Sequence, residues 1–181
     1  MSDTITVGGL PGTGTSTLCR LLGAKTGLPY VYAGQIFREE AARRGMDLAS
    51  FGALCQEDRL VDRDLDDRQL ELLREGGLIL EGRLSGWIAH RNGIPAFKVW
   101  LVCDEAERVR RVVERDGGEP EEQAARMHER EASEADRYRR YYGISLRDLR
   151  PYDLVLDSTH ESPEALADHI EAVRRERMAG R

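Results

Sequence analysis

Five short apolar runs interrupt a chain that is otherwise rich in charge: "TITVGG" (4–9), "PYVYA" (29–33), "LILEG" (78–82), "FKVWLVC" (97–103) and "YDLVLDS" (152–158). Runs this short and this continuous fit strands buried on both faces of a parallel sheet. Between them the apolar positions recur every three or four residues, as in "STLCRLLGAKTG" (16–27), "AERVRRVVERDG" (106–117) and "PEALADHIEAVRRERM" (163–178). That period marks amphipathic helices. Strands alternating with helices predict one α/β domain over 1–181, a five-stranded parallel sheet with helices on both faces. No internal repeat or low-complexity tract breaks the pattern.

Two connections are longer than a simple crossover needs. Residues 34–77 separate the second and third strands, and residues 117–151 separate the fourth and fifth. Both are charged and mostly helical in pattern. Inserts of this length in a compact α/β domain commonly bind a substrate or close over one; the plainer reading is a pair of solvated helical hairpins.

Composition narrows the partners. A third of the residues are charged and the net charge is -6, so no overall positive field draws in a nucleic-acid backbone. Lys25 and Lys98 are the only lysines, and arginine carries the rest of the positive charge. Cys19, Cys55 and Cys103 form no close pair, which fits reduced thiols rather than a disulfide frame or a zinc site. No apolar run approaches the ~20 residues of a membrane span, and no basic-then-apolar leader opens the chain. The expectation is a soluble cytoplasmic monomer with no nucleic-acid or membrane partner.

The sharpest chemical signal is "GLPGTGTST" (9–17), directly after the first predicted strand and at the opening of a helix. Its spacing is that of a phosphate-binding loop from Gly9 through Gly14 to Ser16, but Thr15 stands where that pattern has lysine. Backbone N–H groups and the positive end of a helix dipole converge on a bound anion there, and neither needs the lysine. Gly9, Leu10, Pro11, Gly12, Thr13, Gly14, Thr15, Ser16 and Thr17 are therefore the predicted nucleotide-binding residues. The Ser16 hydroxyl is the candidate ligand for a divalent cation.

Neither lysine can stand in for the missing charge. Lys25 lies ~16 Å along the helix from Gly14, and Lys98 begins the fourth strand, whereas ligands sit beyond strand carboxyl ends. The second insert offers arginines instead. In "EPEEQAARMHEREASEADRYRRYYG" (119–143), Pro120, Glu121 and Glu122 suit a helix start. Arg126, Arg130, Ser133 and Arg137 then follow on one helical face. A mobile helix with three aligned guanidiniums suits a transferring phosphoryl group; an inert helix of paired glutamates and arginines is the alternative.

Taken in order, these segments resemble the nucleoside monophosphate kinases, and within them the archaeal-type cytidylate kinases. The likeness runs along nearly the whole chain, through "GLPGTGTST", "AGQIFREEAARRGM" (33–46), "EDRLVDRDLDDRQ" (57–69), "LEGRLSGW" (80–87), "REASEADRYRRYYGI" (130–144) and "YDLVLDST" (152–159). It implies a P-loop kinase core with an acceptor-binding insert at 34–77 and a lid at 117–151. It also implies Mg²⁺-dependent transfer of the ATP γ-phosphate to CMP, and to dCMP. By match, Arg38 and Arg83 hold the acceptor's phosphate while Arg130 and Arg137 belong to the lid. A threonine in place of the loop lysine is similar to a variation within this group.

The remaining residues fit that chemistry. Transfer between two phosphates needs positioning and charge neutralisation more than an acid or base, and the four histidines are scattered. Glu81 ends the third strand beside the loop, where it can orient Mg²⁺ through water or cap Arg83. Asp62 is the candidate hydrogen-bond partner for the acceptor nucleoside. Trp87 and Trp100 are expected to pack. The competing functions are a kinase for UMP, AMP or a non-nucleotide hydroxyl, and a nucleotide-binding regulator without catalysis.

Overall fold

The computed structural model describes residues 3–180; the side chains at 49, 52, 53, 56, 57, 59 and 62 lie outside that description. Strands β1 (Ile5–Gly9), β2 (Tyr30–Tyr32), β3 (Ile79–Glu81), β4 (Phe97–Val102) and β5 (Leu154–Asp157) are the five apolar runs, trimmed by a residue or two at their ends. They form one parallel sheet in the order β2-β3-β1-β4-β5. Helices fill the intervals: α1 (Thr15–Thr26), α2 (Ala33–Arg43), α3 (Leu48–Glu57), α4 (Arg59–Glu75), α5 (Ser85–Arg91), α6 (Glu105–Asp116), α7 (Pro120–Tyr142) and α8 (Pro163–Ala179).

Side-chain alternation along the strands explains why both faces are covered. Ile79 packs with Ile5, Val7, Val99 and Leu101 against Leu18 and Leu22 of α1 and Ile170 of α8. Its neighbours Leu78 and Leu80 face the opposite way, into a cluster with Ile36 of α2, Leu73 of α4 and Ala89 of α5. Trp87 and Trp100 are buried in the packing, as expected.

The long connections are helical. The 34–77 interval holds α2, α3 and α4, knit by Phe51, Ala41 and Val61. The 117–151 interval is dominated by α7, which starts on Pro120 with Glu121 and Glu122 in its first turn and stops at Gly143, φ 61°. Its carboxyl end is anchored: Tyr138 and Ile144 pack on Leu84 and Trp87, and the Tyr142 hydroxyl donates to Asp66 Oδ2 of α4 at 2.5 Å. Among the described residues no helix is long and apolar enough to cross a membrane.

Register sets the site. Val7 pairs with Glu81, the last residue of β3, and Gly9 with Leu101, so β1 runs two residues past β3 and its end lies beside that of β4. The chain passes from one side of β1 to the other between β3 and β4. Ligands of open parallel sheets bind at such a switch, beyond the strand carboxyl ends.

Candidate active site

The loop after β1 turns on two glycines in the left-handed region, Gly12 (φ 83°) and Gly14 (φ 89°). Gly12 also permits a close approach, since a Cβ there would stand 2.7 Å from the Arg108 carbonyl oxygen of α6. Gly14 is the N-cap of α1, which has neither a side-chain cap nor an acidic residue in its first turn. The N–H groups of that turn and the positive end of its dipole are left for an anion. Thr13 locks the loop from behind. It is buried, its hydroxyl donates to Leu10 O at 2.8 Å, and its carbonyl accepts from Ser158 Oγ at 2.8 Å.

A cavity of about 260 Å³ opens over this turn. Gly9, Leu10, Pro11, Gly12, Thr15 and Ser16 line it from the loop, Glu81 and Arg83 from the end of β3, and Arg130 from α7. Thr13, Gly14 and Thr17 are outside its lining; Thr17 is exposed and accepts from Arg20 at 3.4 Å. Glu81 gathers hydroxyls: Thr15 Oγ1 donates to its Oε1 at 2.5 Å, Ser16 Oγ to the same oxygen at 2.8 Å, and the Tyr30 hydroxyl to Oε2. Burial and the bond to Glu81 push the Tyr30 phenol above its ordinary range, keeping it a donor at neutral pH. Where a lysine would carry charge into the cavity, Thr15 is tied to a carboxylate.

The lysines are engaged elsewhere, Lys25 with Asp168 at 2.7 Å and Lys98 with Asp153 at 2.8 Å. The predicted arginines separate into two groups. Arg83 and Arg130 meet in the cavity, both against Glu134 of α7. Arg130 Nε donates to Oε1 at 3.0 Å. Arg83 Nε lies 2.8 Å from Oε2, an ion pair out of line for a hydrogen bond. Burial pushes the Arg83 guanidinium below its ordinary range, with Glu134 opposing. The other three stand outside the cavity lining. Arg126 is exposed, 4.0 Å from Glu122, and Arg137 lies over the Tyr138 ring at 4.9 Å. Arg38 lies over the Tyr32 ring at 5.0 Å, beside Gly34, which with Tyr32 does line the cavity. The Asp62 side chain falls outside the described residues.

Helix α6 brings charge that the sequence reading did not pick out. Arg108 is buried, donates to Pro11 O at 3.1 Å and pairs with Glu131 at 2.5 Å. Arg111 donates to Ser158 O at 2.6 Å and reaches Thr13 O at 3.5 Å, while Arg115 lines the cavity itself. Their spacing (108, 111, 115) puts all three on one face of the helix after the fourth strand, a signal present in the sequence. Arg111→Met should therefore loosen the loop's seat. For a loop that binds ATP, as the resemblance implies, loss of charge-assisted hydrogen bonds at a partly buried position predicts a Kd raised roughly tenfold, readable by titration calorimetry with the fold monitored by circular dichroism.

The sequence profile of the cytidylate kinase-like family matches residues 4–160. A cytidylate kinase of Methanopyrus kandleri is 44% identical over 171 residues, covering 91% of this chain and 89% of the relative. One from Methanocaldococcus jannaschii is 42% identical over 156 residues, 86% of this chain and 88% of the relative. Among solved structures, shikimate kinase from Bacteroides thetaiotaomicron superposes with a TM-score of 0.63 at 12% identity, over 97% of this chain and 99% of the other. A gluconokinase from Sinorhizobium meliloti gives 0.59 at 14% identity, over 94% and 90%. Those structures share the fold, a parallel sheet covered by helices. Matched by that family's profile over residues 4–160 and 42–44% identical to these relatives over most of its length, the chain belongs to the cytidylate kinase-like family.

Proposed function

We propose that the protein transfers the γ-phosphoryl group of ATP to CMP, and to dCMP, giving ADP and the nucleoside diphosphate. The observation that carries this reading is the uncapped amino end of α1 facing Arg83 and Arg130 across one cavity. An anion-binding turn on one side and guanidiniums on the other suit two phosphates brought end to end.

In this reading the loop backbone and Ser16 hold the ATP phosphates. Arg83 and Arg38 hold the CMP phosphate. Its anionic oxygen attacks the γ-phosphorus in line, the bond to the β–γ bridging oxygen breaks, and ADP leaves with that electron pair. The attacking oxygen has no proton to give up, so no general base is needed. Arg130 and Arg115 stabilise the charge spread over the γ-oxygens, with Arg137 and Arg126 entering as α7 closes. A divalent cation fits the donors present: Ser16 Oγ and the Glu81 carboxylate lie 2.8 Å apart at the cavity edge. Among the described residues no three carboxylate, histidine or cysteine groups form a metal cluster, which suits an ion carried chiefly by nucleotide phosphates. Bound there, Mg²⁺ would supply neutralisation of the triphosphate. Ser16 would reach it directly and Glu81 through water.

A coupled assay with ATP and Mg²⁺ over AMP, CMP, dCMP, UMP and GMP tests the reading. CMP and dCMP should give the highest kcat/KM. Turnover highest with another acceptor would replace the assignment, and tight ATP binding without turnover would favour the regulator. If 34–77 and 117–151 are acceptor insert and lid, hydrogen exchange in both should slow when a bisubstrate analogue joining ATP and CMP is added. Equal protection with and without it would refute closure.

A further inference from the structure

Helix α4 carries a buried polar group that phosphoryl transfer leaves unused. Gln69 is 5% exposed, and its Oε1 has no hydrogen-bond partner among the described residues. Its Nε2 donates to Asp66 Oδ1 at 3.0 Å, and Asp66 Oδ2 accepts from the Tyr142 hydroxyl. A carboxylate only accepts, so the amide nitrogen must face Asp66 and the oxygen is the end left over. A buried acceptor without a protein donor calls for a water, a ligand or a functional reason.

Its position supplies one. A Cβ on Gly82 would stand 3.1 Å from Gln69 Oε1 and 3.6 Å from the Ala33 Cβ. Gly82 and Ala33 line the loop cavity next to Arg83. On the other side, Asp66, Tyr142 and Leu84 line a second cavity of about 380 Å³. Gln69 thus sits at the seam between the acceptor insert and the end of β3. The oxygen packs close against the bare Cα of Gly82 and has almost no exposed surface, so a base reaches it only when the insert shifts from the end of β3. A nucleotide with its phosphate at Arg83 would have this seam one residue away, at Gly82.

We propose that Gln69 determines acceptor specificity, its Oε1 accepting an N–H from the amino group of the cytosine base, with Asp66 and Tyr142 as positioning residues that prevent the amide from turning. The inference rests on the acceptor being CMP, as proposed above. Uracil carries a carbonyl oxygen where cytosine carries that amino group. A fixed acceptor therefore meets an acceptor, and the site rejects UMP by leaving both oxygens unpaired. Were the amide free to turn, its nitrogen could serve uracil instead.

The test is kcat/KM for CMP and for UMP at saturating ATP, in the wild type, Gln69→Leu and Asp66→Asn, with melting temperature and ATP affinity alongside. Gln69→Leu should lower the CMP value about 10–100-fold while UMP stays within about threefold. Asp66→Asn, which lets the amide turn, should narrow the CMP-to-UMP ratio about tenfold. An equal fall for both acceptors, or an unchanged ratio in both variants, would make Gln69 a packing residue and overturn the inference. So would a wild type that uses UMP as well as CMP. A wild type that phosphorylates neither overturns this inference together with the acceptor reading, whereas CMP turnover with an unchanged ratio overturns this inference alone.

Discussion

Arg83→Ala is expected to lose roughly 10²–10⁴-fold in kcat/KM for CMP, with ATP affinity largely kept. The size follows from two charge-assisted hydrogen bonds to a phosphate at about 1.5–3 kcal/mol each. Solvent screens them little, because the Arg83 side chain is 16% exposed. In the free protein the same guanidinium faces Glu134 at 2.8 Å without an in-line hydrogen bond, a contact that a phosphate can better. Arg83→Lys should recover only part of the loss, since an ammonium cannot grip two phosphate oxygens as a fork does. Arg38→Ala should cost less, about tenfold, because this side chain is exposed and enters from its stack on Tyr32. Steady-state kinetics with CMP varied at saturating ATP measures both. Unchanged CMP kinetics in the two alanine variants would remove the acceptor assignment.

The second large effect belongs to Arg130. It lines the phosphate cavity from α7 and is held there by Glu134. A cation that acts mainly on the transition state lowers turnover when removed, with little change in ground-state affinity. An arginine finger can be worth ~10³–10⁵-fold. Arg115 lines the same cavity; with the proposed role shared between the two, Arg130→Ala should lose about 10²–10³-fold in kcat with Kd for ATP nearly unchanged. Arg137→Ala should also slow turnover under the closure of α7 proposed above. Arg126→Ala should cost the least, since its one described ion pair is a 4.0 Å contact on the exposed side of the helix. A fall in ATP affinity matching the fall in turnover would assign Arg130 to ground-state binding.

The sheet was legible because its inner strands β1, β3 and β4 are buried on both faces and read as unbroken apolar runs; the edge strands are less covered than expected, β2 half-buried and β5 alternating half-buried with exposed. β3 shows why the runs sufficed: Ile79 and Leu80 point to opposite faces, and each finds a core. The loop was legible because glycine spacing after a strand reports backbone shape directly. The cations around it were harder to read. Helical periodicity groups Arg126, Arg130 and Arg137 on one face, but it does not say which turn of a 23-residue helix lies over the cavity. Arg130 alone of the three lines it. Arg108, Arg111 and Arg115 carried the same kind of signal on α6. Their reach to the loop depends on the close contact at Gly12, which is tertiary and leaves no mark in local spacing. The role of Thr15 was likewise hidden, because its partner Glu81 is 66 residues away.

Whether arginines do the work of the absent loop lysine is decided by the single-turnover rate of γ-phosphoryl transfer to CMP in Arg130→Ala, with and without Thr15→Lys. The added lysine can reach the cavity, but it also meets Glu81, the present partner of Thr15. Recovery of part of the lost rate, about tenfold or more, is the expected result, because the two cations serve overlapping roles. Full activity in Arg130→Ala, or no recovery from a lysine variant that still binds ATP, would contradict the account.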